Sequence, residues 1–210
     1  MHQDGKEAPS VSRRSLIAGA ALVPVAALSS AAQSAGPPAT KAAKSVFSEA
    51  EQKTLEAFID RLVPKDELGP GAVECGAANY IDQALGGALA DEKESFLQGL
   101  ASVDAFARSA HGASLAELTP DQQDAVLTAM DRGSATGFAN ARAVFARIRR
   151  LTLEGMFSDP YYGGNQNFRG WDLIRYPGPR VAVSPEEQKI KVEIKPYRRS
   201  ALGANHGHQS

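Results

Sequence analysis

The sequence has one cysteine and four histidines that could ligate a metal or act as a nucleophile. The single cysteine, Cys75, cannot form an internal disulfide or a Cys-x-x-Cys metal or haem site. His111 has no second histidine at ligand spacing, and its place before Gly112 is typical of an exposed helix end. His206 and His208 could contact a metal, but a solvated tail explains them better. We therefore predict no metal site, and we leave open whether Cys75 is a reactive thiol, an intermolecular disulfide partner or a packed small side chain.

The sequence patterns that bind nucleotide cofactors or activate a serine are absent as well. There is no Gly-x-Gly-x-x-Gly after a strand, no P-loop and no Gly-x-Ser-x-Gly. The carboxylate pairs, such as Asp91 with Glu94 and Asp121 with Asp124, lie at helix starts, where the helix dipole explains them. The net charge of −1 gives no indication of nucleic-acid binding. We predict no catalytic residue and no cofactor-binding residue in this chain.

The residues best suited to recognition are the aromatic side chains of residues 158–179. Tyr161, Tyr162 and Trp171 lie there among glycines and prolines, in what reads as a long irregular loop. Tyrosine and tryptophan contribute much of the binding energy at protein interfaces, and they also stack on sugar rings. Packing against the helices of the same chain is an equally good explanation. We predict that these three residues contact a partner protein.

The N-terminus has the pattern of an export signal. Arg13 and Arg14 precede a short, weakly apolar run at residues 16–28, and small residues that suit cleavage follow. This predicts a twin-arginine (Tat) signal peptide at residues 1–35, with an ordinary secretory signal as the alternative, and a linker at 36–46. The twin-arginine route carries folded proteins, often with cofactors inserted. A chain without a cofactor site fits this route if it travels bound to a protein that has one.

The elements that must position these residues are helices. Apolar residues repeat at helical spacing, and helix-start signals occur at Ser48, with Glu51 three residues later, and at Thr119 before a proline. The predicted fold is a small all-α bundle of about five helices, forming one domain at residues 47–180. These helices cover about 48–63, 76–85, from 91 past 107, 119–132 and 138–156.

The last part of the sequence has a different character. Residues 181–210 are predicted to form an extended basic tail, and residues 175–210 contain seven basic and three acidic groups. Within it, residues 189–195 alternate strictly between apolar and charged side chains, which predicts one exposed strand. No other strand is predicted that could pair with it.

Several of these stretches together resemble the gluconate 2-dehydrogenase subunit 3 family. They are the twin-arginine leader, residues 61–72, 80–82 and 118–123, the block EGMFSDPYYGGN at 154–165, and residues 170–174 and 176–178. The resemblance covers about residues 45–180, and the block at 154–165 is its most specific part. Arg175 and Cys75 depart from the expected pattern.

The resemblance implies a non-catalytic accessory subunit of a periplasmic, membrane-associated, FAD-dependent gluconate or other sugar-acid dehydrogenase. It implies a large FAD-binding partner subunit and often a cytochrome c subunit, which would hold the FAD and c-type haem that this chain lacks. Membrane contact would be made only through the complex, and the family has no catalytic residues to carry over. A stand-alone periplasmic protein that binds a sugar or sugar acid through the 161–171 loop is the alternative.

Overall fold

The computed structural model describes residues 45–180, 182–190 and 192–202, and within these ranges the fold is all-α, as predicted. The described helices are α1 (Glu49–Leu62), α2 (Ala77–Gly86), α3 (Lys93–His111), α4 (Pro120–Arg132), α5 (Ala141–Phe157) and the short α6 (Arg169–Leu173). Single 3-10 turns occur at Ala90–Glu92, Leu115–Glu117, Pro160–Tyr162 and Gln166–Phe168. No described helix is long and apolar enough to cross a membrane.

Local side-chain chemistry sets the starts of two helices where the sequence predicted them. At α1, Ser48 Oγ accepts from the Glu51 backbone N–H at 3.4 Å, and the Glu51 carboxylate accepts from the Ser48 backbone N–H at 2.8 Å. Thr119 and Gln122 form the same reciprocal pair at the start of α4. Each pair satisfies backbone donors that a helix start leaves free.

In the core, α1 lies against α2, α3, α4 and α5, and α5 lies against α1, α2, α3 and α4. The apolar stripe predicted for α1 is buried at Leu55, Phe58 and Ile59. The largest fully buried side chains outside α1 come from the other helices and one 3-10 turn: Ile81, Leu85, Leu100, Val103, Leu115, Met130, Ile148, Leu151 and Met156. Polar contacts also join these helices. Arg61 of α1 and Asp124 of α4 form a two-pronged ion pair, with nitrogen–oxygen distances of 2.7 and 2.8 Å.

Three sequence-based predictions of local structure were wrong. The segment after α5 is not irregular, because it contains two 3-10 turns and α6. Helix α5 begins at Ala141, three residues later than predicted, since Gly137 (φ 80°) and a turn at Phe138 come first. The described residues of 189–195 form turns and irregular backbone instead of a strand. An isolated strand would leave its backbone donors and acceptors without a ladder partner.

Candidate interaction site on the aromatic segment

Residues 158–179, here called the aromatic segment, lie directly on the helical bundle. Their close approach depends on glycine, because a Cβ at Gly164 would overlap the Gly155 backbone oxygen and a Cβ at Gly170 would overlap that of Met156. Gly155 is itself needed where α5 crosses α2, since its Cβ would lie 2.8 Å from Ala77 Cα. Gly155, Gly164 and Gly170 therefore permit close packing of backbone on backbone.

Polar contacts fix the segment to the N-terminal end of α2 and the loop before it. The Gln166 backbone N–H donates to the Cys75 carbonyl at 2.9 Å. Asn79 Nδ2 donates to the Gly163 carbonyl at 2.6 Å. The Arg169 guanidinium donates to the Glu74 carbonyl at 2.7 Å. These bonds join residues about 90 positions apart in sequence, so the segment is part of the tertiary fold.

A fully buried asparagine organises the segment from inside. Asn165 Oδ1 accepts from the Gly170 backbone N–H at 2.9 Å, and Asn165 Nδ2 donates to the Ser158 carbonyl at 2.9 Å. Its own backbone N–H donates to the Gly155 carbonyl at 2.7 Å. Asn165 adopts a left-handed conformation (φ 43°), which asparagine tolerates better than most residues. Sequence reasoning missed this residue, although an asparagine after two glycines is a signal for a left-handed turn.

Backbone strain accompanies this arrangement. Phe168, a bulky residue, also has a left-handed φ of 60°, and so does Arg175 with φ 55°. Such conformations cost on the order of 1 kcal/mol or more and persist only where surrounding contacts hold them. At Phe168 the holding contacts include the ring of Trp171, whose centroid is 5.4 Å away.

Trp171, the single tryptophan, is buried, with 6% of its surface exposed. Its indole N–H donates to the Phe157 carbonyl at 2.9 Å, at the end of α5. Its ring packs against Phe168 on one side and meets the Tyr176 ring edge-on at a centroid distance of 4.9 Å. In the isolated chain Trp171 therefore packs on its own helices.

The two tyrosines predicted with Trp171 to contact a partner are more exposed than Trp171. Tyr162 is 50% exposed, Tyr161 is half-buried, and their rings meet edge-on at 5.3 Å. The turn that carries them is capped by Asp159, whose Oδ1 accepts from the Tyr161 backbone N–H at 2.9 Å. The prediction that all three residues contact a partner stays a prediction. In the free chain Tyr162 offers far more surface than Trp171 does.

A shallow groove of about 360 Å³ lies beside Trp171. Its lining is almost entirely apolar and consists of Phe157, Trp171, Ile174, Tyr176, Pro179 and Ala201, with Asp159 at the rim. The Asp159 carboxylate is already engaged, because it accepts from the backbone N–H of Tyr161 and from that of Ala201 at 2.7 Å. The groove offers aromatic surface, and its one lining carboxylate already has hydrogen-bond donors.

The described part of the tail, residues 182–190 and 192–202, returns to the aromatic segment. The Tyr197 backbone N–H donates to the Pro177 carbonyl at 2.7 Å, and Arg198 pairs with Asp172 at 2.9 Å. Arg180 donates to the Lys195 carbonyl at 2.7 Å. The tail was predicted to be extended, and its described residues have no helix or strand, but several points fix it to the domain.

The residues considered for metal or thiol chemistry are dispersed. Cys75 is fully buried, and desolvation raises the pKa of its thiol, against a smaller opposing effect of the Arg169 charge. His111 is the last residue of α3 and is exposed. Among the described residues no group of three or more histidine, cysteine or acidic side chains could hold a metal ion. Arg13, Arg14, His206 and His208 lie outside the described residues.

The chain was compared with models of known protein families. The family model described as "Gluconate 2-dehydrogenase subunit 3" matches residues 49–178, which is more than half of the 210 residues. The matched range begins with α1 and includes nearly the whole aromatic segment. No curated protein and no solved structure matches the chain.

Proposed function

The chain belongs to the gluconate 2-dehydrogenase subunit 3 family, and from this membership we propose that it is a non-catalytic accessory subunit of an FAD-dependent gluconate or related sugar-acid dehydrogenase. The observation that carries the proposal is the match over residues 49–178. It includes every described helix and nearly the whole aromatic segment, with the buried Asn165 and Trp171. The family description names a subunit, so the chain is expected to work with other subunits.

The chemistry of the aromatic segment supports a non-catalytic role. Its two carboxylates and its buried asparagine already hold the fold: Asn165 bonds the backbone, Asp159 caps a turn and accepts from the tail, and Asp172 pairs with Arg198. A general acid or base must be able to reach a substrate proton. On this proposal the FAD belongs to a large partner subunit, and electrons leave through a cytochrome c subunit that contains haem.

Purification of the native complex tests the assignment. A visible spectrum of the complex should show flavin, and haem if a cytochrome subunit is present, together with dehydrogenase activity on gluconate or a related sugar acid. The chain purified without its partners should show neither absorption nor activity. FAD that remains bound to the isolated chain would overturn the proposal.

The export part of the proposal rests on the Arg13-Arg14 pair. We propose that this chain supplies a twin-arginine signal for a periplasmic complex, so that its flavoprotein partner crosses the membrane with it. Contact with the membrane would then be made only through the complex. Changing both arginines to lysine should retain this chain and its partner in the cytoplasm. The matched control is Arg132→Lys with Arg149→Lys, at exposed positions of the folded domain.

The outcome for the partner decides whether this chain escorts it. Export of the flavoprotein by cells that carry the Arg13→Lys, Arg14→Lys variant would show that the partner does not depend on this signal. Retention of both proteins, with normal export in the control, supports the escort role.

One observation favours a second candidate function, a stand-alone periplasmic protein that binds a sugar or sugar acid. The groove beside Trp171 has aromatic walls, and aromatic rings stack on sugar rings. Because Trp171 is the single tryptophan, its fluorescence reports directly on this groove. A saturable change on titration of the isolated chain with gluconate would favour this alternative, and a flat titration would favour the accessory subunit.

A further inference from the structure

Exposed apolar side chains are concentrated at the C-terminal end of the described chain. Seven of the eleven large hydrophobic residues that are exposed in the described ranges lie between residues 174 and 202. Ile190 is the most exposed of all, at 91%. The seven residues are Ile174, Tyr176, Val183, Ile190, Val192, Tyr197 and Leu202. Exposed apolar side chains that are scattered singly need no explanation, but their concentration in one segment makes that segment a candidate interaction surface.

Basic side chains accompany them. Within the described residues Arg175, Lys189, Lys195 and Arg199 make no ion pair, whereas the neighbouring Arg180 and Arg198 are paired. Residues 175–210 contain seven basic and three acidic groups, a net charge of +4, while residues 36–174 contain thirteen basic and nineteen acidic groups, a net charge of −6. The net positive charge therefore lies on the same segment that exposes its apolar side chains, whereas the rest of the chain after residue 35 is net negative.

This surface is held in place by specific contacts. Arg180 bonds the Lys195 carbonyl and pairs with Glu187, so it closes the base of the loop that carries Ile190. The Tyr197 backbone N–H donates to the Pro177 carbonyl, and a Cβ at Gly178 would overlap the Tyr197 backbone oxygen. The backbone at 177–178 therefore lies directly against the backbone at Tyr197. A surface that is ordered before binding loses less conformational entropy when a partner arrives.

We infer that the described residues of 174–202 form a docking surface for an acidic protein partner. The carboxylates of that partner would pair with the basic side chains, and its apolar surface would pack against the exposed apolar side chains. This inference rests on the proposed function, in which that partner is the flavoprotein subunit. The family match ends at residue 178, so most of the surface lies outside the residues that family membership covers. Arginine and tyrosine, which are enriched at protein interfaces, occur here side by side, and the Arg199 guanidinium stacks on the Tyr197 ring at 5.5 Å.

A protein partner fits these features better than an anionic membrane does. Interfacial membrane binding is typical of an amphipathic helix with a basic polar face, and the described residues of 174–202 contain no helix. Glu186 and Glu193 are exposed within the same segment and would be repelled by an anionic lipid surface. These two glutamates can instead pair with individual basic side chains on an otherwise acidic protein surface.

Two pairs of matched variants test the inference by affinity for the purified flavin-containing subunit. Lys189→Glu with Lys195→Glu reverses the charge of the surface, and Lys65→Glu with Arg149→Glu makes the same net change at exposed positions elsewhere. Ile190→Ser removes an exposed apolar side chain from the surface, and Leu68→Ser removes one that is 82% exposed outside it. None of the four side chains altered in the two charge variants makes an ion pair within the described residues, so the fold should tolerate each change.

The two surface variants should bind differently from their controls. The charge reversal should weaken binding about tenfold at low salt and flatten its salt dependence, because attraction at an interface rim is screened by ions. Ile190→Ser should weaken binding roughly ten- to hundredfold if the side chain becomes fully buried. Both controls should stay within about twofold of the unaltered chain. Equal melting temperatures for all variants would show that the fold is intact.

Three outcomes would overturn the inference. Unchanged affinity of both surface variants, with normal binding of the unaltered chain, would contradict the docking surface and leave the proposed function standing. Failure of the unaltered chain to bind the flavin-containing subunit would refute the proposed function and this inference with it. Binding to phosphatidylglycerol vesicles that is lost in the Lys189→Glu, Lys195→Glu variant, without loss of subunit binding, would assign the surface to the membrane.

Discussion

Replacement of Trp171 by alanine should destabilise the isolated subunit, because this side chain is buried in its own domain. The change removes a ring that packs against Phe168 and Tyr176, and it leaves the Phe157 carbonyl without its indole donor. Tyr162→Ala should have little effect on stability, since half of that side chain is already exposed. The two variants therefore separate packing from partner contact within one segment.

The magnitude follows from burial. Truncation of a buried tryptophan to alanine costs about 3–5 kcal/mol in free energy of unfolding. For a domain of this size each kcal/mol lowers Tm by about 2–4 °C, so Trp171→Ala should lower Tm by about 6–20 °C. Trp171→Phe keeps an aromatic ring but loses the hydrogen bond, and it should lower Tm by only about 2–6 °C. Tyr162→Ala should shift Tm by no more than about 2 °C.

Thermal unfolding followed by far-ultraviolet circular dichroism measures these shifts, since the two Trp171 variants have no tryptophan fluorescence. Affinity for the flavin-containing subunit should be measured on the same samples at a temperature where each remains folded. Weakened binding of Tyr162→Ala at unchanged Tm would support its contact with the partner. A Trp171→Ala variant that melts within about 2 °C of the unaltered chain would refute the structural role assigned to Trp171.

Three further changes test individual contacts. Gly170→Ala forces a Cβ onto a backbone oxygen of α5 and should lower Tm by about 5 °C or more; a normal Tm would contradict the close approach. The thiol of Cys75, buried and with a raised pKa, should react with a disulfide-exchange reagent at pH 8 only after denaturation, and rapid labelling of the folded chain would contradict its burial. Asp124→Asn removes the partner of Arg61, whose guanidinium lowers the pKa of the Asp124 carboxyl. The pair stabilises the fold fully above the unfolded pKa of this carboxyl, about 4, and that stability is lost as pH falls through the lower folded pKa. The Tm of Asp124→Asn should therefore lie clearly below that of the unaltered chain at pH 7, and the difference should shrink toward pH 2. A difference that persists at low pH would refute the assignment.

The sequence predicted well those features that depend on neighbours along the chain. Ser48 with Glu51 and Thr119 with Gln122 marked helix starts because the groups that pair are three residues apart. The apolar stripe of α1 was read from helical periodicity, and the structure buries it. The family was also recognised from sequence, because the order of its short motifs is a property of the sequence itself.

Only the tertiary structure decided which residues of the C-terminal part of the chain are buried and which backbone conformation they adopt. Aromatic residues among glycines look the same in sequence whether they face a partner or their own helices, and only the packing of the segment on α2 and α5 placed Trp171 inside and Tyr162 outside. The alternation of 189–195 predicted a strand, but a strand forms only where another supplies its hydrogen-bond partners, and that depends on the rest of the fold. Asn165 likewise acquires its role only when Ser158, Gly155 and Gly170 meet around it. Local sequence fixes contacts a few residues apart, whereas these contacts arise when distant backbones approach closely enough to exchange hydrogen bonds and exclude water.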